Sequence, residues 1–272
     1  MSLPLQRMGD GFPREGTVDL SGAVRQVSQV TVQFPKGWRG RMGVQAFNEQ
    51  YYEDRQISED RIAMWWYARV LQRLRPQGGR LLDFGCGTGH LLKRLSPQFE
   101  TFGYDAAPFA RSRCRTNAPN AVVLEEWDTL SAETFEVIVS LHTLEHLPRP
   151  LGVLERFAKL LVHGGVLFFV VPNSGGLGRH LKGAQWSAYS DPTHVSLLSR
   201  GEWATLVRKV GLQIVAVRGD GLWDAPYVRF IPTPVQRVLF GAPAALQVYW
   251  PFGQPFLPAS ISENLIVTAR KG

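Results

Sequence analysis

Three of the six histidines fall in two short stretches that also contain acidic residues. The first, HTLEH, places His142, Glu145 and His146 within one helical turn. The second, SDPTHVSLLS, carries His194 three residues after Asp191. An imidazole titrates near neutral pH and can accept a proton from a hydroxyl, a phenol or an amine. The candidate catalytic residues are therefore His142, His146 and His194.

A cluster of glycines indicates a ligand site of a different kind. The run LLDFGCGTGH places Gly85, Gly87 and Gly89 directly after an apolar segment, which ends in an acid, Asp83. Glycines at alternate positions mark backbone that bends sharply or that a ligand approaches closely. A dinucleotide site would need the spacing G-x-G-x-x-G, whereas this loop reads G-x-G-x-G. A second apolar run, FGYD, ends in Asp105, whose carboxylate can hold both hydroxyls of a ribose.

The elements that must position these residues alternate between strand and helix. Seven apolar runs are predicted as strands: GRLLDFG, ETFGYD, NAVVLEEW, FEVIVSL, VLFFVVPN, LQIVAVRGD and NLIVTARK. The segments with helical spacing between them are HLLKRLSPQF, APFARSRCRTN, PLGVLERFAKLLVHGG and SRGEWATLVRKVG. This alternation predicts a doubly wound α/β fold, with a mostly parallel seven-stranded sheet and helices on both faces. Ligands bind such sheets beyond the carboxyl ends of the strands, where the glycine loop is expected.

The sequence divides into an N-terminal extension, residues 1–45, and one α/β domain, residues 46–272. In the extension, VRQVSQVTVQF alternates loosely and predicts a strand or a hairpin. Residues 221–262 interrupt the alternation before the last strand, and no charged residue lies between Val238 and Ser262. Four prolines in that run would break any helix that crosses a bilayer. We interpret the segment as an apolar insertion that caps the site.

These segments resemble the class I S-adenosylmethionine-dependent methyltransferases, in particular small-molecule enzymes of the ubiquinone-methyltransferase type. The resemblance lies in LLDFGCGTG, FGYD, FEVIVSLHTLEHLPRP, LLVHGGVLFFVVPN and HVSLLSRGEWATLVRKVGL, in the family's order. It implies a Rossmann-like methyltransferase fold, with S-adenosylmethionine as the cofactor. By resemblance, the cofactor-binding residues are Tyr52, Asp83, Gly85, Cys86, Gly87, Gly89, Asp105, Ala106, Trp127, Asp128, Leu141 and His142.

The resemblance also implies how the first two strand ends divide the cofactor between them. The glycine loop, with Cys86, would line the methionine part, and Asp83 would lie beneath the loop near the amino group. Asp105 would hold the ribose, with Ala106 beside it.

The remaining cofactor contacts are implied at the third and fourth strands and in the N-terminal helix. Trp127 and Asp128 would meet adenine, although LEEWD departs from the family's usual glycine–aspartate pair. Leu141 and His142 would face the sulfonium. The segment FNEQYYEDR resembles an aromatic helix that closes over the cofactor, with one of its two tyrosines near the methionine end.

The histidines and Glu145 have three interpretations. In the first, Glu145 and His146 are structural, as the sequence LEHL is in many family members. In the second, His142 or His194 is a general base, while Glu145 and His146 anchor the following helix. In the third, all four bind a divalent metal, by resemblance to the Glu-x-x-Glu-His plus distant His of ubiquinone-type O-methyltransferases and small-RNA 3′-terminal 2′-O-methyltransferases. Histidine at position 142 replaces the first glutamate of that pattern, which counts against a magnesium-like site, and we assign no metal.

Composition limits the partners and the compartment. The 272 residues carry a formal net charge of +7, which favours anionic partners but is also ordinary for a basic enzyme. The sequence has no stripe of basic residues with interleaved aromatics, so no nucleic acid is expected as a partner. Two cysteines, one of them in the glycine loop, and an N-terminus without an apolar signal region predict a cytoplasmic protein.

The sequence therefore predicts a methyltransferase that acts on a hydroxyl, or an amine, of a small and apolar or amphipathic acceptor. The uncharged aromatic insertion favours a lipid-like molecule and allows peripheral contact with a membrane, without a transmembrane segment. The alternatives are a metal-assisted RNA 2′-O-methyltransferase and a non-catalytic cofactor-binding protein. The oligomeric state is left open.

Overall fold

The computed structural model describes residues 49–54, 61–251 and 254–272. The predicted extension of residues 1–45 lies outside the described residues, together with its predicted strand or hairpin. Among the described residues, no helix combines the length and the apolar character that a membrane span requires.

The seven predicted strands are all present and form one sheet. They are β1 (Gly79–Phe84), β2 (Phe99–Tyr104), β3 (Val122–Leu124), β4 (Phe135–Leu141), β5 (Leu161–Pro172), β6 (Leu212–Gly219) and β7 (Asn264–Lys271). Their order is β3-β2-β1-β4-β5-β7-β6, and β7 alone runs antiparallel to its neighbours in this sheet. The predicted mostly parallel, Rossmann-like sheet is confirmed. The strand order reverses between β1 and β4, and ligands bind beyond the carboxyl ends of the strands at such a reversal.

Both faces of the sheet are buried, which explains why its central strands are apolar at nearly every position. Side chains alternate between the faces along a strand, so neighbouring residues belong to different hydrophobic clusters. Leu82 and Phe169 belong to one buried cluster, and Leu81 and Phe168 to the other. This two-sided core holds the carboxyl ends of β1 and β4 side by side.

Eight α-helices are described. They are α1 (Glu49–Asp54), α2 (Ile62–Leu74), α3 (His90–Leu95), α4 (Pro108–Asn117), α5 (Pro150–Leu160), α6 (Leu177–Lys182), α7 (Arg200–Lys209) and α8 (Thr233–Tyr249). The prediction that α5 continues to Gly164–Gly165 was wrong, because Leu161 already begins β5 and pairs with Phe135. The apolar spacing continues past Leu160, but sheet pairing takes these residues out of the helix.

The segment between β6 and β7 contains α8, a 17-residue helix with Pro243 inside it. α8 packs against α2, where the rings of Trp65 and Tyr249 lie 6.2 Å apart. Val248 belongs to the same buried cluster as Val170 in β5. The segment is therefore anchored to the sheet, and its predicted role as a cap stays a prediction.

Candidate active site

Gly85 and Gly89, in the loop after β1, lie where neighbouring elements approach the loop closely. Both have a positive φ, 81° for Gly85 and 87° for Gly89, which disfavours other residues. A side chain at Gly85 would overlap Thr143, and a Cβ at Gly89 would lie 2.7 Å from the sulfur of Cys114. Cys86, between them, is buried, with its sulfur 3.9 Å from that of Cys114. The loop is thus held between α4 and the turn after β4.

Gly87 differs from these two because its backbone borders open space. Its φ is 50°, and the nearest atom to an added Cβ would be Tyr52 Cε1 at 3.9 Å. The N–H of Gly87 donates a hydrogen bond to Asp105 Oδ2 at 2.9 Å. Bare backbone beside an acid provides a surface on which a ligand can lie.

Asp105, directly after β2, organises the loop that follows it. Its Oδ1 accepts hydrogen bonds from the N–H of Ala107 at 2.8 Å and from the hydroxyl of Tyr52 at 3.3 Å. The Arg111 guanidinium donates to the carbonyl oxygens of Asp105 and Ala106 at 2.7 and 3.1 Å. Burial raises the pKa of the Asp105 carboxyl, although the backbone N–H groups act in the opposite direction. The carboxylate is therefore fixed in place before any ligand arrives.

Asp83, the penultimate residue of β1, is a buried acid with an open position. It is 3% exposed, and its Oδ1 has no hydrogen-bond partner among the described residues. Burial and the neighbouring charge of Asp105 raise the pKa of the Asp83 carboxyl to about 8. A buried carboxylate without a partner is costly, so this position calls for a proton or a cationic group.

Helix α1 covers the glycine loop and connects it to the histidines. Tyr52 is buried, and its ring lies 5.7 Å from that of Phe109 in α4. The hydroxyl of the adjacent Tyr51 donates to Asp191 Oδ2 at 3.4 Å. Tyr52 therefore lies at the glycine loop, and Tyr51 lies on the side of the candidate site that carries the histidines.

Trp127 and Asp128, predicted at adenine, lie in the loop after β3. Trp127 is 4% exposed, and its ring packs against Phe84 at 4.6 Å and Phe157 at 5.8 Å. The carbonyl of Asp128 accepts a hydrogen bond from Arg156 at 2.8 Å. Trp127 is thus largely part of the hydrophobic core, and its contact with adenine stays a prediction.

His142 follows Leu141, the half-buried last residue of β4, in a left-handed conformation with a φ of 49°. Its N–H donates to the carbonyl of Val170 at 2.9 Å, and its side chain is 42% exposed. Nδ1 lies 3.3 Å from Oε1 of the fully buried Glu145. Desolvation by the surrounding protein acts to lower the pKa of His142, but the hydrogen bond and charge of Glu145 outweigh it and raise that pKa. A proton shared between Nδ1 and Glu145 leaves the lone pair of Nε2 for a substrate.

Glu145, His146 and His194 form a compact group next to His142. Residues Leu144–His146 form a single 3₁₀ turn, and a ligand-capable atom of each group member lies within 4.8 Å of the others. The two imidazole rings are 4.7 Å apart. Oε2 of Glu145 has no hydrogen-bond partner within the described part of the chain. Imidazole and carboxylate are ligand types that a divalent cation accepts.

Both imidazoles of this group are oriented through Nδ1. Nδ1 of His194 lies 2.7 Å from the carbonyl of Ala188, and Nδ1 of His146 lies 2.9 Å from Thr193 Oγ1. The Thr193 hydroxyl donates its own proton to Asp191 Oδ1 at 2.5 Å, so its oxygen accepts from His146. Both rings therefore donate through Nδ1, so that Nε2 of a neutral ring is left as an acceptor, and Nε2 of His194 lies 3.8 Å from Asp191 Oδ2. Burial lowers the pKa of His146, which favours this neutral form.

Asp220 is a member of the site that the sequence analysis missed. It follows β6, is 4% exposed, and accepts hydrogen bonds from the N–H and the amide side chain of Asn264 at 3.0 and 2.5 Å. Burial raises the pKa of Asp220 to about 6, and the charge of His142 counteracts part of this. Like Asp83 and Asp105, Asp220 is an acid at the carboxyl end of a strand. This pattern could have identified Asp220 from the sequence.

The sequence matches a known family over most of the elements that build this site. Residues 55–217 match the model of the methyltransferase domain. The chain belongs to this family. It is a methyltransferase that uses S-adenosylmethionine, as the resemblance implied.

Curated relatives and solved structures agree with this assignment. The methyltransferase is 30% identical over 167 residues to the ubiquinone biosynthesis O-methyltransferase of Xanthomonas axonopodis pv. citri, covering 55% of this chain and 69% of that one. It is 29% identical to the enzyme of the same name from Burkholderia pseudomallei over 52% and 68% of the two chains. A SAM-dependent methyltransferase structure from Thermotoga maritima has a TM-score of 0.58 at 17% identity, covering 84% and 98%. One from Archaeoglobus fulgidus has a TM-score of 0.52 at 18% identity, covering 76% and 94%. The structures support the fold alone.

The residues at the carboxyl ends of β1 and β2 fit the chemistry of S-adenosylmethionine. This methyl donor carries a cationic amino group and a ribose with two hydroxyls, and it has no phosphate. The buried Oδ1 of Asp83, which has no partner in the described part of the chain, can hold a cation, and the fixed carboxylate of Asp105 can accept hydrogen bonds from the two hydroxyls. Gly87 leaves its backbone uncovered between them.

Proposed function

We propose that this methyltransferase transfers a methyl group to the hydroxyl, or the amine, of a small apolar or amphipathic acceptor, with His142 as the general base. The observation that carries the proposal is the contact between His142 Nδ1 and the buried Glu145 at 3.3 Å, directly beside the glycine loop. Glu145 orients the ring and holds its Nδ1 proton, so that Nε2 can take a proton from the acceptor. The name of the curated relatives, ubiquinone biosynthesis O-methyltransferase, supports a hydroxyl as the acceptor group and a quinone precursor as its class.

The cofactor would lie across the carboxyl ends of β1 and β2. In this proposal Asp83 holds the amino group, Asp105 holds the ribose hydroxyls with Ala106 beside it, and the backbone of Gly87 supports the methionine part. Cys86 lines the same loop. The pairing of Trp127 and Asp128 with adenine belongs to the proposal, and so does closure by Tyr52.

S-adenosylmethionine, when bound, supplies an electrophilic methyl group on a sulfonium. His142 Nε2 would take the acceptor's hydroxyl proton as the acceptor oxygen receives that methyl group, with S-adenosylhomocysteine as the other product. Close packing of Gly85 on Thr143 keeps His142 next to the glycine loop. Alignment of the two reactants can lower the barrier by roughly 7–11 kcal/mol, and a general base adds a factor of about 10²–10⁴.

The test is transfer of a labelled methyl group to a panel of phenols and catechols with apolar side chains of increasing length. His142→Ala should lower kcat by about 10²–10⁴-fold and leave the affinity for S-adenosylmethionine nearly unchanged. His163→Ala is the matched control, because His163 is exposed near the amino end of β5, on the side of the sheet away from the site. A His142→Ala enzyme with the wild-type rate would contradict the proposal.

The group of Glu145, His146 and His194 favours a second candidate, in which a divalent cation positions the acceptor hydroxyl. Two Nε2 atoms and a carboxylate oxygen would hold such an ion, which would polarise the acceptor oxygen. Elemental analysis of protein purified without an affinity tag separates the candidates. About one equivalent of metal per chain, lost in His194→Ala, would support the ion. Metal-free protein with full activity would support His142 alone.

An apolar acceptor partitions into membranes, so peripheral contact with a membrane belongs to the proposal. The cytoplasm is the compartment we propose, because Cys86 and Cys114 are both unpaired thiols.

A further inference from the structure

Helix α8 is amphipathic in the reverse of the usual sense, because it buries glutamines and exposes apolar side chains. Gln236 and Gln247 are fully buried on the inner side of the helix. In contrast, five apolar side chains on its opposite side are 47–69% exposed. We call these five the outer face, and its members are Val235, Val238, Leu239, Leu246 and Tyr249.

The buried glutamines explain how α8 is held in this orientation. Oε1 of Gln236 accepts from the N–H groups of Tyr227 and Val228 at 2.6 and 2.9 Å. Oε1 of Gln247 accepts from the N–H groups of Phe256 and Leu257 at 2.7 and 2.6 Å. Each glutamine thus satisfies the backbone of a flanking loop inside the protein, where unpaired polar groups are costly. The helix is fixed with its outer face toward solvent.

The five members of the outer face lie along one side of the helix. They follow the spacing i, i+3, i+4, i+11 and i+14, which places them on one side at 100° per residue. From Val235 to Tyr249 the stripe is about 21 Å long, at 1.5 Å per residue. Aromatic residues flank it in the chain, with Phe230 91% exposed before the helix and Trp250 39% exposed after it.

The charges around the outer face indicate its partner. Between Asp224 and Glu263 the sequence contains no acidic residue, and its two charged residues, Arg229 and Arg237, are both exposed. An apolar stripe with tyrosine and tryptophan at one end, in a chain segment whose only charges are positive, is typical of a helix that lies in the interface of an anionic bilayer. A protein partner would not require the absence of acidic residues over such a length of chain.

We propose that the outer face of α8 docks this methyltransferase on the surface of a membrane that contains anionic lipids. The use of that contact, to take an apolar acceptor from the bilayer, rests on the proposed function, whereas the contact itself does not. The fold connects the two, because the segment that carries α8 begins directly after β6, whose carboxyl end lies on the same side of the sheet as that of β4, which His142 follows. At its other end, Tyr249 rests on Trp65 of α2.

The test is co-sedimentation of the full chain with vesicles of phosphatidylcholine, with and without phosphatidylglycerol. We expect binding to the anionic vesicles that falls at least about tenfold in the double variant Leu239→Glu/Leu246→Glu, since each charge must enter the interface. Val215→Glu is the matched control, because Val215 is 59% exposed, against 58% for Leu239, and lies on β6. The control should bind as the wild type does. Arg229→Gln/Arg237→Gln should reduce the preference for the anionic lipid.

Three outcomes would overturn the membrane contact. In the first, the wild-type protein does not sediment with either kind of vesicle. In the second, the double variant sediments with vesicles as well as the wild type does. In the third, light scattering shows that the wild type self-associates without binding vesicles and that the double variant does not self-associate. His142→Ala separates this proposal from the proposed function, because it should bind vesicles normally while losing methyl transfer to a water-soluble phenol. Failure of vesicle binding alone leaves methyl transfer in free solution intact.

Discussion

Asp83→Asn should stabilise the ligand-free protein at alkaline pH and weaken its hold on the cofactor. The carboxyl is 3% exposed and its pKa is raised from 3.8 to about 8 by burial and by Asp105. At 1.36 kcal/mol per pH unit, this difference corresponds to an upper limit of roughly 6 kcal/mol of destabilisation when Asp83 is ionised. Local relaxation and water penetration reduce such penalties, so we expect about 2–4 kcal/mol.

The pH dependence of this effect has a definite sign. Because the pKa is higher in the folded than in the unfolded state, the Asp83 contribution to stability falls as the pH rises from about 4 to about 8 and is constant above that. The asparagine variant has no such titration. The stability advantage of Asp83→Asn should therefore be small at pH 5 and largest at pH 8.5, while other groups, such as Asp220, titrate alike in both proteins.

Urea unfolding of both proteins from pH 5 to pH 8.5, without ligand, measures this difference directly. Calorimetry with S-adenosylhomocysteine, which keeps the same amino group, measures the cost in binding. The variant should lose roughly 1.5–3 kcal/mol of affinity, the value of a hydrogen bond to a charged group. In the wild type at pH 7, binding should release close to one proton, since the mostly protonated Asp83 must ionise to hold a cation. A pH-independent stability difference together with unchanged affinity would refute the role given to Asp83.

Three further perturbations test other parts of the site. Gly87→Ala should weaken cofactor binding at least about tenfold by covering the open backbone of the glycine loop. Gly183→Ala, also at a positive φ (55°) and with open space around an added Cβ, should lose stability through backbone strain and bind the cofactor normally. Equal cofactor binding by both variants would argue against a cofactor site at Gly87. Asp220→Asn should lower the pKa of His142, because the charge of Asp220 contributes to raising that pKa. The acidic limb of the pH–rate profile should therefore move to lower pH. A limb that stays in place or moves to higher pH would contradict the electrostatic effect of Asp220 on His142. If α1 closes the site through the hydrogen bond from Tyr51 to Asp191, Tyr51→Phe should raise the rate of cofactor dissociation several-fold. Stopped-flow fluorescence measures this rate. An unchanged rate would mean that α1 is a structural helix only.

The strands and the glycine loop could be predicted from the sequence because their causes are local. Strands covered on both faces need continuous apolar runs, as in VLFFVVPN, and a loop with three positive φ angles needs glycine. The end of α5 could not be predicted, since the apolar residues from Leu161 fit a helix equally well until they pair with Phe135. There the tertiary pairing decides.

The polar contacts of the site depend on distant parts of the chain, and this limited their prediction. Asp220 lies 78 positions after His142 in the sequence, and its charge still affects the pKa of His142. The strand directions place the carboxyl ends of β4 and β6 on the same side of the sheet. The inverted helix α8 was also missed, because Gln236 and Gln247 read as surface residues until their hydrogen bonds to flanking loops are known. The turn at Glu145 was predicted as a helical face, and it is a 3₁₀ turn that still brings Glu145 to His142.

Chemical rescue of His142→Ala by added imidazole tests the assignment of the general base most directly. The His142 side chain is 42% exposed, so a small base can enter the space that the alanine leaves. The methyl-transfer rate of the variant should rise with imidazole concentration and saturate, and wild-type enzyme and Glu145→Gln should not respond in this way. A variant that is fully active without imidazole, or one that no concentration restores although it binds the cofactor normally, would contradict the role of His142 as the base.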